Sequence, residues 1–226
     1  MKKVHGVYLG EQAHAFFTLM PTRTVFLHKR LKGEYHMKIV CLTGSPRYRG
    51  NSASIAKRFM ETATNRGAHT ITHALNKLTY KGCQACMGCK TASDTCVLDD
   101  DLRQVLEDVV TADVLVMASP IYYGDVTSQM KGFMDRTYSF YVPEFHTKAR
   151  PSRLAPGKKF VMITTQGQPD ENMFADVFPK YHFFFQTHGF KEGYSIRGGG
   201  LARPDDVMNR QEILAKAEEL AGVLVG

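Results

Sequence analysis

The chain has 226 residues, which is enough for one large domain with a buried core or for two small ones. Hydrophobic residues make up 43% and charged residues 23%, which is the composition of an ordinary globular protein. The sequence contains no apolar run of about 18 residues, the length that is needed to cross a bilayer. The formal net charge is +7, of which residues 1–36 carry +4 through six basic and two acidic groups, leaving +3 for the rest. This balance argues against nucleic acid or a membrane as the partner.

The first 36 residues differ from the rest of the chain. They show neither helical nor strand periodicity and hold four of the nine histidines. We predict that residues 1–36 form an extension outside the domain, consistent with translation from upstream of a start at Met37; the alternative is an extra folded hairpin. Glu11, His14 and Arg23 interrupt any apolar region of a secretory leader, so the sequence predicts a reducing, cytoplasmic location.

From Met37 onward, predicted strands alternate with predicted helices. Apolar runs predict strands over residues 38–43, 69–75, 113–118, 159–165 and 193–197. Helical spacing of apolar residues predicts helices from Asn51 or Ser52, after 99–101, from Thr127, around 171–186 and after Asp206. Asn51 and Ser52 are both good N-cap residues, so one of them is expected to cap the first helix. Five strands alternating with helices predict an α/β fold, a doubly wound parallel sheet with its ligand at the carboxyl ends of the strands. The irregular segment 142–157 is predicted to be a lid or a contact loop.

A polar loop with two glycines follows the first strand. Gly44 and Gly50 allow tight turns, and Ser45, Asn51 and Ser52 supply short polar side chains where the next helix begins. Free backbone N–H groups and the helix dipole favour a phosphate at such a place. The loop lacks the lysine of a Walker motif, so a monophosphate fits better than a triphosphate. The alternative is a generic turn with a helix cap.

Aromatic side chains follow the third strand, in the sequence Ser119-Pro120-Ile121-Tyr122-Tyr123-Gly124-Asp125. A residue before proline prefers an extended conformation, so the chain is expected to leave the sheet stretched across the pocket. Tyr122 and Tyr123 would then stack on a planar ring while backbone amides and Gly124 bond to its polar edge. The alternative is one core tyrosine and one surface tyrosine. Thr165-Gln166-Gly167-Gln168, after the fourth strand, offers a third polar loop at the same edge.

Four of the five cysteines fall within 14 residues, in the pattern Cys-x2-Cys-x2-Cys-x6-Cys. They are Cys83, Cys86, Cys89 and Cys96, in a predicted loop over residues 82–97. Tight clustering in a long chain indicates metal or redox chemistry rather than a secreted disulfide framework. Three thiolates at intervals of three favour an iron–sulfur cluster over zinc, whose ligands usually come in two separated pairs. Redox-active thiols and a zinc site remain as alternatives, and Cys41, in a buried strand, is expected to be inert.

Three motifs resemble those of the flavodoxin-like NADPH-dependent FMN reductases. They are Gly-Ser-Pro-Arg-x-x-Gly-Asn-Ser at 44–52, Ser-Pro-Ile-Tyr-Tyr-Gly-Asp at 119–125 and Lys-Gly-Phe-Met-Asp-Arg at 131–136. The resemblance runs from Met37 to the C-terminus and implies a flavodoxin-like sheet of order 2-1-3-4-5 that binds FMN. It implies a phosphate site formed by Ser45, Arg47, Asn51 and Ser52. It implies an isoalloxazine site formed by Ser119, Pro120, Ile121, Tyr122, Tyr123 and Gly124. From the position of the third loop, we predict that Thr165, Gln166 and Gly167 also bind the cofactor. Asp135 and Arg136 are largely structural in that family.

The cysteine pattern resembles that of the iron–sulfur flavoproteins, a branch of the same fold. This resemblance implies a [4Fe-4S] cluster on Cys83, Cys86, Cys89 and Cys96, beside the flavin pocket, in a homo-oligomer. The expected function is electron transfer between a donor, the cluster, FMN and an acceptor, the donor being NAD(P)H or a ferredoxin-like protein. The alternatives are a cluster-free NAD(P)H-dependent flavin or quinone reductase and a non-enzymatic electron carrier. Such carriers are usually strongly acidic, whereas this domain is mildly basic.

Overall fold

Five parallel strands form the centre of the fold in the computed structural model, which describes residues 36–226. The predicted extension over residues 1–36 therefore lies outside the described residues, apart from His36. The strands are β1 (Lys38–Thr43), β2 (His69–Ala74), β3 (Val114–Pro120), β4 (Lys158–Thr165) and β5 (Phe190–Gly198). They are hydrogen-bonded in the order β2-β1-β3-β4-β5, all parallel, which confirms the predicted flavodoxin-like topology.

Helices cover both faces of this sheet. They are α1 (Asn51–Asn65), α2 (Gly88–Thr91), α3 (Leu102–Thr111), α4 (Ser128–Arg136), α5 (Val177–Thr187) and α6 (Gln211–Val225). Alternate residues of a strand point to opposite faces, so Ile39 and Cys41 of β1 belong to one core and Val40 and Leu42 to the other. The first core includes the buried faces of α1 and α6, and the second those of α3, α4 and α5.

Some predicted boundaries differ from the structure. Helix α5 begins at Val177 rather than near residue 171, because Phe174 has a φ of 64°, which is incompatible with a right-handed helix. Strand β5 begins at Phe190, three residues earlier than predicted. The predicted cysteine loop 82–97 contains one short helix, α2. None of the helices in the described part of the chain is long and apolar enough to cross a membrane.

The segment 142–157 has little regular structure but is attached to the domain at both ends. Its only helical turn is a 3-10 turn over Phe145–Thr147. Tyr141 and Ser152 form an antiparallel bridge, and the Val142 N–H donates to the carbonyl of Pro151 at 2.9 Å. Leu154 is buried in the core beneath this bridge. The segment is therefore a closed loop on the side of the domain that carries α3, α4 and α5; its role as a lid or a contact loop stays a prediction.

Candidate functional site

The carboxyl ends of β1 and β3 are tied together by the start of α4. The N–H of Gly44, after β1, donates to the carbonyl of Ala118 in β3 at 2.8 Å. The hydroxyl of Thr127 caps α4 and donates to the Gly44 carbonyl at 2.8 Å, and the Thr127 N–H donates to Oγ of Ser119 at 3.1 Å. The predicted loops after β1 and β3 therefore begin in one connected network of hydrogen bonds.

The loop after β1 is a compact turn that ends on the N-terminus of α1. The Gly50 N–H donates to the carbonyl of Arg47 at 3.1 Å, and Oγ of Ser45 bonds to the backbone of Arg47. A Cβ at Gly50 would lie 2.2 Å from Ser45 Oγ, so only glycine fits at this point. The Arg47 side chain is exposed and donates to the Ala202 carbonyl at 3.3 Å. The turn forms a small cradle at a helix N-terminus, where an anion is favoured.

Asn51 and Ser52, the first two residues of α1, are buried but differ in their partners. Neither side chain caps the helix, so the predicted capping role is wrong; Gly50 occupies the N-cap position. The amide of Asn51 instead donates to the carbonyls of Leu201 and Arg203, at 3.3 and 2.8 Å. Oγ of Ser52 has no hydrogen-bond partner within the described residues 36–226. An unpaired buried hydroxyl at an anion-favouring helix end fits a bound phosphate oxygen.

The segment after β3 makes a tight turn that presents an exposed tyrosine. Tyr122 and Asp125 exchange backbone hydrogen bonds at 2.8 and 3.1 Å. Tyr123 and Gly124, between them, have φ angles of 51° and 78°, in the left-handed region. Tyr123 is fully exposed and Tyr122 is 44% exposed, so neither ring belongs to the core. Both rings are therefore available for stacking, although the chain turns back on itself instead of continuing stretched.

The side chain of Asp125 anchors this turn to α5. Its carboxylate accepts hydrogen bonds from the Tyr181 hydroxyl at 2.6 Å and from the Lys180 ammonium at 2.8 Å. Burial acts to raise the pKa of Asp125, but these two donors and the Val126 N–H hold the pKa below its usual value. Burial and the neighbouring Asp125 raise the pKa of Tyr181. The turn is thus fixed by a charged network that sequence inspection did not identify.

The third loop, after β4, is held in shape by hydrogen bonds from the side chain of Gln166. The Gln166 side-chain amide donates to the carbonyls of Gln168 and Asp170, at 3.2 and 2.8 Å. The Gln166 backbone N–H donates to the carbonyl of Gly198 at the end of β5. Thr165 is buried and its carbonyl accepts from the N–H of Ile121, joining this loop to the end of β3. The Gln166 carbonyl also accepts from the Leu201 N–H at 2.9 Å, so both the side chain and the backbone of Gln166 support the loop.

The segment Gly198–Arg203, which the sequence analysis missed, completes this edge of the sheet. It supplies the carbonyls that Arg47 and Asn51 bind, and Gly167 lies against Ala202. Its signal in the sequence is the run Gly198-Gly199-Gly200 directly after β5, where a Cβ on Gly199 would lie 3.0 Å from the Pro169 carbonyl oxygen. Together the four loops form one continuous edge at the ends of the strands, which we call the strand-end site.

All four clustered cysteines line a second pocket. Arg136, Tyr138 and Ser139 form its opposite wall. Cys89 is buried and Cys96 is half-buried, whereas Cys83 and Cys86 are exposed. Ala85 and Met87, between the cysteines, have φ angles of 50° and 58°, so the backbone coils tightly there. Over residues 36–226, no three His, Cys, Asp or Glu side chains are grouped closely enough to hold a metal ion.

Arg136, the last residue of α4, contacts this cysteine pocket directly. Its side chain is fully buried, and its Nε donates to Sγ of Cys96 at 3.0 Å. Both terminal nitrogens donate to the carboxylate of Asp100, at 2.8 and 3.1 Å, and one also donates to the Lys81 carbonyl at 2.9 Å. Burial acts to raise the pKa of Asp100, but the bonds from Arg136 and two backbone N–H groups hold it below the usual value. The sequence indicated a structural role for Arg136 and gave no sign of its contact with sulfur.

Two further cations surround Cys89. The ammonium of Lys90 donates to Sγ of Cys89 at 3.4 Å and to the carbonyls of Tyr138 and Tyr141. Burial lowers the pKa of Lys90, while the neighbouring Cys89 acts in the opposite direction. Arg153, from the 142–157 loop, donates to the carbonyls of Cys89 and Ser139, at 2.9 and 2.6 Å. The inner side of the cysteine pocket is therefore electropositive, as a cluster of thiolates requires.

Helix α4 separates the cysteine pocket from the strand-end site. Its cap, Thr127, bonds to Gly44 at the strand ends, and its last residue, Arg136, bonds to Cys96. Nine helical residues span about 13 Å. The side chain of Gln129 contacts Asn76 near the first end. The cysteines thus lie one helix length from the flavin loops that the sequence predicts, beside them on the same molecule but in a separate pocket.

Comparisons with known proteins agree with this fold. The structure superposes on an NAD(P)H:quinone oxidoreductase from Methanothermobacter marburgensis with a TM-score of 0.66 and 19% identity, over 85% of this chain and 98% of the other. An iron-sulfur flavoprotein from Methanosarcina thermophila is 36% identical over 101 residues, which cover 45% of this chain and 52% of the relative. An FMN-dependent NADH:quinone oxidoreductase from Rhizobium meliloti is 37% identical over 65 residues, covering 29% and 32%.

The similarity to individual relatives is confined to part of their length. The chain spans about half the length of the iron-sulfur flavoproteins that it matches. The family model for the flavodoxin-like fold, Flavodoxin_2, matches residues 37–221, which is most of the chain and includes both the strand-end site and the cysteine pocket. The five-stranded parallel sheet in the order 2-1-3-4-5 agrees with that assignment. The chain therefore belongs to the Flavodoxin_2 family of flavodoxin-like proteins.

Proposed function

We propose that this protein is an FMN-dependent oxidoreductase that takes electrons from NAD(P)H and holds a [4Fe-4S] cluster on Cys83, Cys86, Cys89 and Cys96. The observation that carries the proposal is the cysteine pocket: all four cysteine residues line it, and Arg136 and Lys90 donate hydrogen bonds to the sulfurs of Cys96 and Cys89. The names of the relatives support it, because they include an iron-sulfur flavoprotein and FMN-dependent NADH:quinone oxidoreductases.

The strand-end site supports FMN as the flavin. Its phosphate would lie on the turn around Ser45, Arg47 and the first residues of α1, where the buried Ser52 Oγ has no hydrogen-bond partner within residues 36–226. Its isoalloxazine would lie against the Tyr122–Gly124 turn, with the backbone of the Gln166 loop at its polar edge. The loop after β1 offers a place for one terminal phosphate, which suits a mononucleotide such as FMN. When bound, FMN supplies redox chemistry that links two-electron donors to one-electron acceptors.

The charges around the cysteines support a cluster there. Four thiolates bring four negative charges into one pocket, which is favourable only where other groups compensate them. Arg136 and Lys90 contact the sulfurs, and Arg153 holds the backbone of Cys89. The fifth cysteine, Cys41, is excluded because it is buried inside β1, where burial raises the pKa of its thiol to about 12. The compact spacing of the four remaining cysteines suits a cubane cluster better than tetrahedral zinc.

The alternative is a cluster-free NAD(P)H-dependent quinone or flavin reductase. One observation favours it: within residues 36–226 the cysteine sulfurs are not grouped as metal ligands. The two functions differ in the kind of acceptor, because a cluster exchanges single electrons whereas a quinone accepts two. A non-enzymatic carrier is a third candidate, which would not turn over NAD(P)H by itself.

Steady-state kinetics with two acceptors distinguishes these functions. Anaerobically prepared protein is given NADH or NADPH together with either a quinone or a ferredoxin-like protein. We expect NAD(P)H oxidation with both acceptors, and we expect the Cys96→Ala variant to lose transfer to the ferredoxin-like protein while keeping quinone reduction. Equal rates for the variant and the wild type with both acceptors would favour the cluster-free reductase. No NAD(P)H oxidation at all would contradict the proposed enzyme.

A further inference from the structure

The four cysteine sulfurs are not equivalent in this structure. Cys89 and Cys96 lie on the protein side of the pocket, and each accepts a hydrogen bond from a cationic side chain. Cys83 and Cys86 are exposed, on the segment that contains the two left-handed residues Ala85 and Met87. Two of the four predicted cluster ligands, Cys89 and Cys96, are therefore already held by hydrogen bonds from cationic side chains.

Arg136 is the more firmly held of the two cations. Four of its N–H groups have acceptors: one on Cys96, two on the carboxylate of Asp100 and one on the carbonyl of Lys81. Lys81 precedes the first clustered cysteine and Asp100 follows the last, so one guanidinium holds together both ends of the ligand segment. Because the side chain is fully buried and its planar fork is bonded at three places, its Nε has little freedom to turn away from the sulfur.

Hydrogen bonds to a cluster's sulfurs and nearby positive charge stabilise the reduced state, which carries one more negative charge than the oxidised state. Both effects raise the reduction potential. We propose that Arg136 is a positioning residue that closes the cysteine segment and, together with Lys90, raises the reduction potential of a cluster bound there. This inference rests on the proposed [4Fe-4S] site and assigns the two cations a role that the cysteine motif alone does not contain.

Redox titration of the anaerobically reconstituted full chain tests this assignment. The midpoint potential of the cluster is followed by the EPR signal of its reduced state, with iron and sulfide content measured on the same sample. We expect Arg136→Gln to lower the ratio of reduced to oxidised cluster at the wild-type midpoint at least tenfold, which is a shift of about 59 mV or more to more negative potential for one electron. Arg136→Lys, which keeps the charge but not the fork, should lie between the two.

Lys131→Gln is the matched control. It removes the same charge from the same helix, but Lys131 is half exposed and pairs with Asp135, away from the cysteines. Its midpoint should equal that of the wild type. A control that shifts as far as Arg136→Gln, or an iron-loaded Arg136→Gln protein with an unchanged midpoint, would overturn the inference.

The midpoint potential of Arg136→Gln cannot be measured if that variant fails to fold, since removing Arg136 leaves the charge of Asp100 unpaired. The double variant Arg136→Gln with Asp100→Asn removes both charges and should recover folding. Its potential should still be lowered by the lost hydrogen bond to Cys96, but by less than in Arg136→Gln, because the negative charge of Asp100 is also gone. The Lys90→Met variant tests the second cation independently, and its midpoint potential should shift in the same direction as that of Arg136→Gln. If no Arg136 variant retains iron, an unchanged midpoint potential in Lys90→Met overturns the inference. Wild-type protein that binds no iron would overturn the proposed cluster itself, whereas iron-loaded variants with unchanged midpoints would overturn only the role of the cations.

Discussion

The Oδ1 atom of Asn51 accepts a 3.0 Å hydrogen bond from the backbone N–H of Val207, 156 residues later in the chain. The same side chain donates to two carbonyls of the segment before Val207, so both of its donors and one acceptor position are used inside the protein. Asn51 therefore fastens the segment after β5 to the start of α1. The two loops that face each other across the predicted phosphate position are held by one buried amide.

We predict that Asn51→Asp destabilises the protein and weakens FMN binding together. A carboxylate cannot donate to the carbonyls of Leu201 and Arg203, and it adds a negative charge beside the predicted phosphate. The lost bonds should lower the free energy of unfolding by about 1–3 kcal/mol, measured by urea denaturation. FMN affinity should fall severely, measured by quenching of flavin fluorescence. Asn65→Asp, the same change at the exposed far end of α1, should alter neither quantity appreciably; unchanged flavin content in Asn51→Asp would contradict the phosphate assignment.

Ser52→Ala should separate stability from binding. Oγ of Ser52 is buried without a partner, so its removal should leave the unfolding free energy of the flavin-free protein within about 1 kcal/mol of the wild type. Loss of a hydrogen bond to a charged phosphate should weaken FMN binding roughly tenfold to hundredfold. Isothermal titration of the flavin-free protein gives the affinity, with Ser54→Ala as the control two residues along α1. Equal affinities for both variants would remove Ser52 from the phosphate site.

The order of the elements could be predicted because it depends on local patterns. Buried runs such as Val114–Ala118, and the loops that follow each strand, identified the sheet and its ligand-binding edge. Contacts between distant segments could not be predicted in this way. The partners of Asn51 lie about 150 residues away, and Arg136 meets Cys96 only because the chain returns along α4. Residue type alone does not distinguish a helix cap from a buried amide that bonds to another loop.

Buried His188 should make the protein less stable in mild acid. Its ring centroid lies 4.2 Å from that of Tyr141, with the two planes tilted by 45°. Its Nδ1 has no hydrogen-bond partner among residues 36–226, and burial lowers its pKa to about 4. Between the ordinary histidine pKa near 6.5 and about pH 4, the unfolded chain binds a proton that the folded protein excludes. Stability is therefore lost as the pH falls through this window, by on the order of 3 kcal/mol in total.

Urea denaturation from pH 7.5 to pH 5 measures this loss while most carboxylates remain ionised. The His188→Gln variant should show a flatter pH profile over this range, even if its stability at pH 7.5 is lower. A wild-type profile that is flat down to pH 5, or a variant profile as steep as that of the wild type, would contradict the assignment.

The clustered cysteines and Cys41 should behave differently when each is replaced by alanine. Replacing Cys83, Cys86, Cys89 or Cys96 should abolish the visible absorbance of the cluster and leave FMN bound, because the cysteine pocket and the strand-end site lie at opposite ends of α4. Cys41→Ala, in the buried strand β1, should retain both cofactors at some cost in stability. Absorbance spectra of anaerobically reconstituted proteins provide the comparison. Loss of the cluster only in Cys41→Ala would reverse the assignment.

The central claim, a flavoprotein with a cluster on its cysteine pocket, is tested most directly by the cofactor content of the wild-type protein. The full chain is purified and reconstituted without oxygen, and its FMN, iron and acid-labile sulfide are measured per chain. We predict one FMN per chain, with about four irons and four sulfides, as a [4Fe-4S] cluster requires. Bound FMN with less than one iron per chain would contradict the cluster and favour the cluster-free reductase.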